Sequence, residues 1–337
     1  MNIRAIAKDS GLSVATVSRV INNESGVSEE LRKKAFEAIE RHGYKPRRKA
    51  RKTVTRIGIV VEADAPSFNS FYSQIFSGVS RYAFDRGVET TLLFYSPSLE
   101  EDGDRPDLTE LLRKKRCNGM VLVGPLSNRD AEKLVQARVP AVLVSHRLEL
   151  EGIGFIDCDN IAGAQTQTEY LLGLGHRKIG YLCGDASKGD NCDRVDAFMQ
   201  TMQSNGASIE PEWLVEHKPT QTSEEAGYNQ AKVLLSRCPD VTAIFANNDS
   251  MAWGAITACV EMGRNVPSDI SVVGYDDNSA SRYFNPPLTT MRQPLEDMGA
   301  AAAKWVDEKL NNKISDLPHQ VISGELMVRK SCALPRS

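Results

Sequence analysis

Ser13-Val14-Ala15-Thr16-Val17-Ser18-Arg19-Val20-Ile21-Asn22 is the stretch on which the reading of this chain turns. Val17, Val20 and Ile21 recur at the three- and four-residue spacing of one helix face, while Ala15, Ser18, Arg19 and Asn22 fall on the other. Ser13 stands where a hydroxyl can cap the first turn. Upstream, Ile3, Ile6 and Ala7 make the apolar face of a shorter helix, and Gly11 sits where the chain must turn sharply. Downstream, Ser28 is placed to cap a third helix, with Glu29 and Glu30 in a first turn that favours carboxylates. Leu31, Ala35, Ala38 and Ile39 are its buried stripe, and Arg41, His42 and Gly43 end it. Three short helices with a tight turn between the first two make a helix-turn-helix, whose second helix enters the major groove with its N-terminal residues nearest the bases. Val14 and Ala15 are small enough there to touch a thymine methyl, and Arg19 can donate two hydrogen bonds to guanine. Thr16 and Ser18 suit phosphate oxygens.

The charge distribution agrees with that reading. Residues 1–56 hold 14 Lys or Arg against 6 Asp or Glu, a net of +8, whereas the remainder carries 27 against 38, a net of -11. One end is therefore suited to a polyanion. Residues 45–52 concentrate six cations in eight positions after the helices, a linker expected to order against phosphates. The 41% hydrophobic content supports a large buried core. Arg4, Lys8 and Asp9 stand where a signal peptide would be apolar, and no apolar run is long enough for a membrane span, so a cytoplasmic location with no membrane partner is expected. The seven cysteines are scattered without a C-x-x-C pair and read as reduced, mostly buried thiols.

From Ile57 onward short apolar strands alternate with helices, first over 57–61, 70–86, 90–95, 107–115, 119–123, 128–137 and 141–144. The alternation repeats with helices near 161–174, 190–205, 223–236 and 249–262 and strands at 178–183, 243–246 and 270–275. Two α/β lobes of parallel sheet covered by helices on both faces follow. Such sheets bind ligands beyond the carboxyl ends of their strands. Ser145-His146-Arg147, Asn247-Asn248-Asp249 and Asp276-Asp277 stand at those ends, and Phe68, Phe71 and Tyr72 follow the first strand. Hydroxyl, amide, carboxylate and guanidinium groups around aromatic faces suit a polyhydroxylated ligand. Each taken singly has a plain structural role available, Asp249 as a helix cap above all.

The run Ser13 to Asn22, with Val27-Ser28-Glu29-Glu30 and Gly43-Tyr44-Lys45-Pro46, resembles the DNA-binding headpiece of the lac-repressor (LacI/GalR) family. The resemblance continues through Asp159-Asn160, Gly173-Leu174-Gly175-His176-Arg177-Lys178-Ile179, Asn248-Asp249-Ser250-Met251-Ala252, Val273-Gly274-Tyr275-Asp276-Asp277 and Pro286-Pro287-Leu288-Thr289-Thr290, and so spans essentially the whole chain. It implies a multidomain protein, an all-α helix-turn-helix headpiece plus an α/β periplasmic-binding-protein-like core of two doubly wound parallel-sheet lobes. By the same resemblance the headpiece occupies 1–46, a basic hinge 47–56, one lobe 57–158 with 291–321, and the other 159–290 with 322–337. Ser13, Thr16 and Asn22 would contact the DNA backbone, Val14, Ala15, Ser18 and Arg19 would lie at base edges, and Tyr44, Arg47, Arg48, Arg51 and Thr53 complete the DNA-facing set. Thr53 matches the position of a leucine that wedges into the minor groove in the family, and the segment after it is shorter, so binding through phosphate charge rather than a central kink is expected.

In the core, Phe71, Arg194, Asn248 and Asp276 match positions that hold effector in the family, with Arg194 and Asp276 bonding hydroxyls. Ser145 stands where many sugar-responsive members have an acidic residue. With Arg147 beside it, this side of the pocket reads as less acidic and leaves room for an anionic effector such as a sugar phosphate, so both join the candidate set. The function implied is a repressor of carbohydrate-utilisation genes, a homodimer on a pseudo-palindromic operator of double-stranded DNA, governed by a small-molecule effector, a sugar or sugar derivative, and needing no cofactor or metal. A core that senses a protein co-regulator is the alternative, and an exposed apolar patch on the first lobe would favour it. No G-x-G-x-x-G after a strand, P-loop, G-x-S-x-G or metal-ligand cluster speaks for an enzyme. A transport-type sugar binder would have no use for residues 1–56.

Overall fold

The computed structural model describes residues 3–21, 26–43, 55–62, 70–95, 107–184, 189–216 and 222–336. The chain divides into two compact units, residues 1–53 and 54–337. In the first, α1 (Ile3–Ser10), α2 (Val14–Ile21) and α3 (Glu29–Arg41) enclose a small core of Ile6, Ala7, Val17 and Ala38, with Ile3, Leu12, Ile21 and Ile39 packed around it. Gly11 adopts φ +66° between α1 and α2, a conformation that favours glycine at so tight a turn. Arg41 at the end of α3 pairs with Asp9 of α1 at 3.1 Å.

The second unit opens with β1 (Arg56–Glu62), α4 (Ser70–Arg86), β2 (Glu89–Tyr95), α5 (Leu108–Lys115), β3 (Gly119–Val123), α6 (Asn128–Gln136), β4 (Ala141–Val144) and β5 (Gly154–Cys158). It continues with α7 (Asn160–Gly173), β6 (Ile179–Leu182), α8 (Gly189–Ser204), β7 (Leu214–Val215), α9 (Glu224–Arg237), β8 (Ala243–Ala246), α10 (Asp249–Glu261), β9 (Ser271–Asp276) and β10 (Thr289–Arg292), then α11 (Leu295–Leu310), β11 (His319–Ile322) and β12 (Glu325–Met327). Two sheets result, in the orders β11-β5-β4-β3-β1-β2 and β12-β10-β9-β8-β6-β7. All pairings are parallel except that of β12 with β10.

Strand alternation sorts the first lobe's side chains into two cores. Ile59, Val61, Val121, Val123, Val142 and Val144 meet Ile75 and Val79 of α4 and Met298, Ala302 and Val306 of α11. Val60, Met120, Leu122 and Leu143 meet α5 and α6 on the opposite face. Helices on both faces explain why these strands are apolar throughout rather than alternating. The second lobe is centred on Tyr181, Phe198 and Phe245, with Tyr181 stacked on Phe245 at a centroid distance of 4.8 Å.

The chain passes between lobes after β5, after β10 and between β11 and β12. β10 belongs to the second sheet, so the return crossing falls at residues 293–294 rather than at 291, and Ile322 still belongs to the first sheet. β5, β7, β10, β11 and β12 carry no strand signal in the sequence: β7 and β12 are only two and three residues long, β11 is mostly exposed, and polar residues interrupt β5 at Asp157 and β10 at Thr289 and Thr290. All seven cysteines are free, and Cys158, Cys183, Cys238 and Cys259 are buried. Among the described residues no helix is long and apolar enough to cross a membrane.

Candidate DNA-reading helix and effector cleft

The N-terminus of α2 is built by Ser13. Its Oγ accepts the Thr16 backbone N–H at 3.0 Å and lies 2.9 Å from the Thr16 hydroxyl, while its carbonyl accepts from Val17. The cap bond satisfies one of the free donors of the first turn and fixes where the helix begins. With Val17 and Val20 buried beneath, Val14, Ala15 and Arg19 stand in solvent and Thr16 and Ser18 are half-buried. Val14, 43% exposed at the helix N-terminus, leaves apolar surface beside Ala15 and Arg19 on the same solvent-facing turn. Ser28 sits at the start of α3 in extended geometry, but its side chain makes no cap bond, correcting the sequence expectation; in its exposed position water can serve the free N–H groups. Asn22, Tyr44, Arg47, Arg48, Arg51 and Thr53 lie outside the described residues, as does Phe68.

In the core, two of the six expected effector residues, Arg147 and Arg194, belong to one bonded network, and a third, Asp276, acts on Arg194 through its charge. Arg194 on α8 is 3% exposed. Its Nε donates to Asn160 Oδ1 at 2.8 Å and its Nη1 to the Asn247 carbonyl at 2.9 Å, its Nη2 lies 3.7 Å from Asp190, and the guanidinium sits 3.8 Å from the centroid of the Tyr275 ring. Burial opposes its charge, yet Asp190, Tyr275 and Asp276 hold its pKa above the ordinary value. Asp276, at the end of β9, accepts from Gln293 Nε2 at 2.7 Å, and burial pushes its carboxyl up to about 6 against the pull of Arg194 and Gln293.

Arg147, beyond β4, donates to Asp157 of β5 at 2.7 Å, reaches Asp193 of α8 in the other lobe at 3.6 Å, and lies over the Phe155 ring. Asp157 and Asp193 are both raised above the usual carboxylate range, first by burial, with Arg147 opposing. The network continues from Asp157 to Asn160, whose Nδ2 donates to the Cys158 carbonyl at 3.2 Å, and from Asn247 Nδ2 to Asn191 Oδ1 at 2.7 Å. It thus runs across the first interlobe crossing.

The other three stand apart from it. Phe71 packs edge to face on Tyr72, with ring centroids 5.2 Å apart. Ser145 is buried directly after β4 with φ +56°, donating its N–H to the Ile156 carbonyl. Asn248, not Asp249, caps α10: its Oδ1 accepts from Met251 N–H at 2.9 Å and its Nδ2 donates to the Thr222 carbonyl. Asp249 instead is fully buried, accepting from Asn278 N–H at 2.7 Å, Ser281 Oγ at 2.6 Å and Thr290 Oγ1 at 2.5 Å. Asp157, Asn160, Asp190, Asp193 and Gln293 escaped the site reading. Asn160 was visible within the Asp159-Asn160 motif, whereas Gln293 had no sequence signal beyond its place before α11. A separate open polar groove of about 600 Å³ is lined from both lobes by Ser73, Ser77, Asp277, Ser279, Arg282 and Arg292 and by none of the six expected residues.

Comparison with known proteins bears on both halves. Residues 2–47 match the profile described as bacterial regulatory proteins, lacI family, and residues 168–332 the profile of a periplasmic binding protein-like domain. The transcriptional repressor PurR of Pasteurella multocida is 31% identical over 338 residues, 98% of each chain. Among solved structures, the complex of the transcriptional regulator CelR with cellobiose superposes with a TM-score of 0.75 at 28% identity, over 98% of this chain and 99% of that one. The lac repressor dimer bound to operator and the anti-inducer ONPF gives 0.68 at 26% identity, over 99% of both chains.

Proposed function

Since the chain belongs to the lacI family of bacterial regulatory proteins and is a DNA-binding transcription regulator, not an enzyme, we propose that it is a cytoplasmic repressor, a homodimer on a pseudo-palindromic operator, controlled by an uncharged, hydroxyl-rich effector between its lobes. The observation that carries the regulatory half is the capped α2 with Val14, Ala15 and Arg19 turned to solvent. Asn22, Tyr44, Arg47, Arg48, Arg51 and Thr53 join them in the proposed DNA contact. One headpiece reads too few base pairs for useful specificity, which favours paired half-sites. Phe84 and Phe94 of the first lobe and Tyr283 of the second, 88%, 60% and 83% exposed, are apolar surface that a second copy would cover. The same exposure on the first lobe keeps a protein co-regulator as the second reading.

For the effector, charge decides the class. Arg147 is already matched by Asp157 and Asp193, and Arg194 by Asp190 and Asp276. Four carboxylates against two guanidiniums would repel a phosphate or sugar acid, so the anionic effector that Ser145 and Arg147 suggested is not favoured. Carboxylate and amide acceptors beside Arg194 donors suit sugar hydroxyls, with Phe71, Ser145 and Asn248 in supporting places. CelR, the relative solved with cellobiose, supports the same class.

The test is a thermal-shift screen of the full-length protein against neutral mono- and disaccharides, sugar acids and sugar phosphates. A ligand at 100 times its dissociation constant stabilises the folded state by about 2.7 kcal/mol. Stabilisation by a neutral sugar, lost in Asp276→Asn, is expected; stabilisation by sugar phosphates alone would overturn the effector class.

A further inference from the structure

The turn after β9 consists of two consecutive aspartates with positive φ, Asp276 at 119° and Asp277 at 56°. Non-glycine residues seldom hold such backbones, and a pair of them persists where surrounding bonds over-determine the turn. Those bonds come from the crossing strand. Arg292 stands opposite Asp276 in the β9–β10 register and donates from Nε to Asp277 Oδ2 at 2.8 Å. The next residue, Gln293, donates its side-chain amide to Asp276 Oδ1 at 2.7 Å. Arg329 closes the other side of Asp277 at 2.5 Å. Arg292 is the last residue of β10 and Gln293 the first of the crossing from the second lobe to the first, so the residues that grip the two aspartates stand where the interlobe path begins. Asp277 and Arg292 line the open groove between the lobes, and Asp277 makes none of the bonds of the Arg194 network.

We propose that Asp277 is a positioning residue: clamped by Arg292 and Arg329, it holds the strained turn that presents Asp276 to Arg194, and it makes that presentation depend on the crossing that starts at Gln293. The proposal rests on the reading of the cleft as the effector site and names how that site is coupled to lobe movement. With Arg292 removed, Asp277 keeps one partner, the turn can relax toward ordinary φ values, and the Asp276 carboxylate leaves its place. Arg292 is 39% exposed and also bonds Glu325, which is 68% exposed, so its two partners can be tested separately.

The experiment uses the full-length protein, with hydrogen–deuterium exchange and binding of the sugar that gives the largest thermal shift in the panel. Arg292→Gln is expected to speed exchange at residues 276–278 and weaken sugar binding, each about tenfold, while headpiece amides keep their rates. Arg292→Lys, which can still reach one Asp277 oxygen, should recover part of both effects, and Glu325→Gln should match the wild type. Wild-type exchange and sugar affinity in Arg292→Gln, or the same losses in Glu325→Gln, would overturn the proposal. The two readings fail separately: wild-type sugar binding by Asp276→Asn would remove the cleft assignment, and exchange at 276–278 would still decide whether Asp277 holds the turn.

Discussion

Asp276 is held in its protonated form further up the pH scale than an ordinary aspartate, to about 6 from 3.8, by burial first, and with Asp190 adding to it. Asp249, also buried and raised well above the ordinary value, has Asp276 as its second cause, so the two carboxylates titrate together. The folded chain therefore keeps protons that the unfolded chain releases as pH rises above about 4. The resulting stability is full below the unfolded pKa and is lost as pH rises through about 6. In Asp276→Asn that loss is removed, and Asp249 is relieved of its neighbour. Between pH 4 and 7 the melting temperature of the variant should fall less steeply than that of the wild type. Parallel profiles, measured by calorimetry in one buffer series, would show that Asp276 is not held in this way. Arg147 gives the complementary lesson at this scale. It reads in sequence as a free cation for an anionic ligand, but the partners that occupy it, Asp157 and Asp193, are ten and 46 residues further along, and only folding brings them together.

At the scale of elements, the two N-terminal serines that look equivalent in sequence differ in the bonds they make. Ser13 accepts a cap bond from Thr16 and Ser28 accepts none. Ser13→Ala should lower headpiece stability by about 1 kcal/mol, and Ser28→Ala should stay within about 0.5 kcal/mol. Native-state exchange of the α1–α3 amides measures both, and equal losses would contradict the assignment. The helices and the central strands were legible because their signals are local. Within each helix Ile3 with Ile6 and Ala7, Val17 with Val20, and Ala35 with Ala38 keep helical spacing, and Gly119 to Val123, buried at every position, reads as an unbroken apolar run between turn signals. β11 was not legible, since three of its four residues are exposed and its identity comes from pairing with β5, more than 160 residues away in sequence. Polar groups gather at the strand ends, but which amide enters the network was not legible. Asn247 does so, through its carbonyl to Arg194 and its side chain to Asn191, and Asn248 caps a helix.

For the whole core, the lobes meet through three chain crossings and a polar network that spans the first of them. Arg147 of the first lobe reaches Asp193 of the second, whereas the bonds of Arg194 stay within the second lobe, so a change in lobe angle acts first on the Arg147–Asp193 pair. A ligand that binds one lobe arrangement better than another shifts the population between them by its difference in affinity. Coupling of 1–3 kcal/mol would change operator affinity roughly 5- to 150-fold.

The most direct measurement is the affinity of the full-length protein for an operator selected from random-sequence DNA, taken by fluorescence anisotropy at fixed salt with and without the sugar identified by thermal shift. A change of at least about fivefold that disappears in Asp276→Asn is expected. Identical affinities at saturating sugar would contradict control of DNA binding from the cleft.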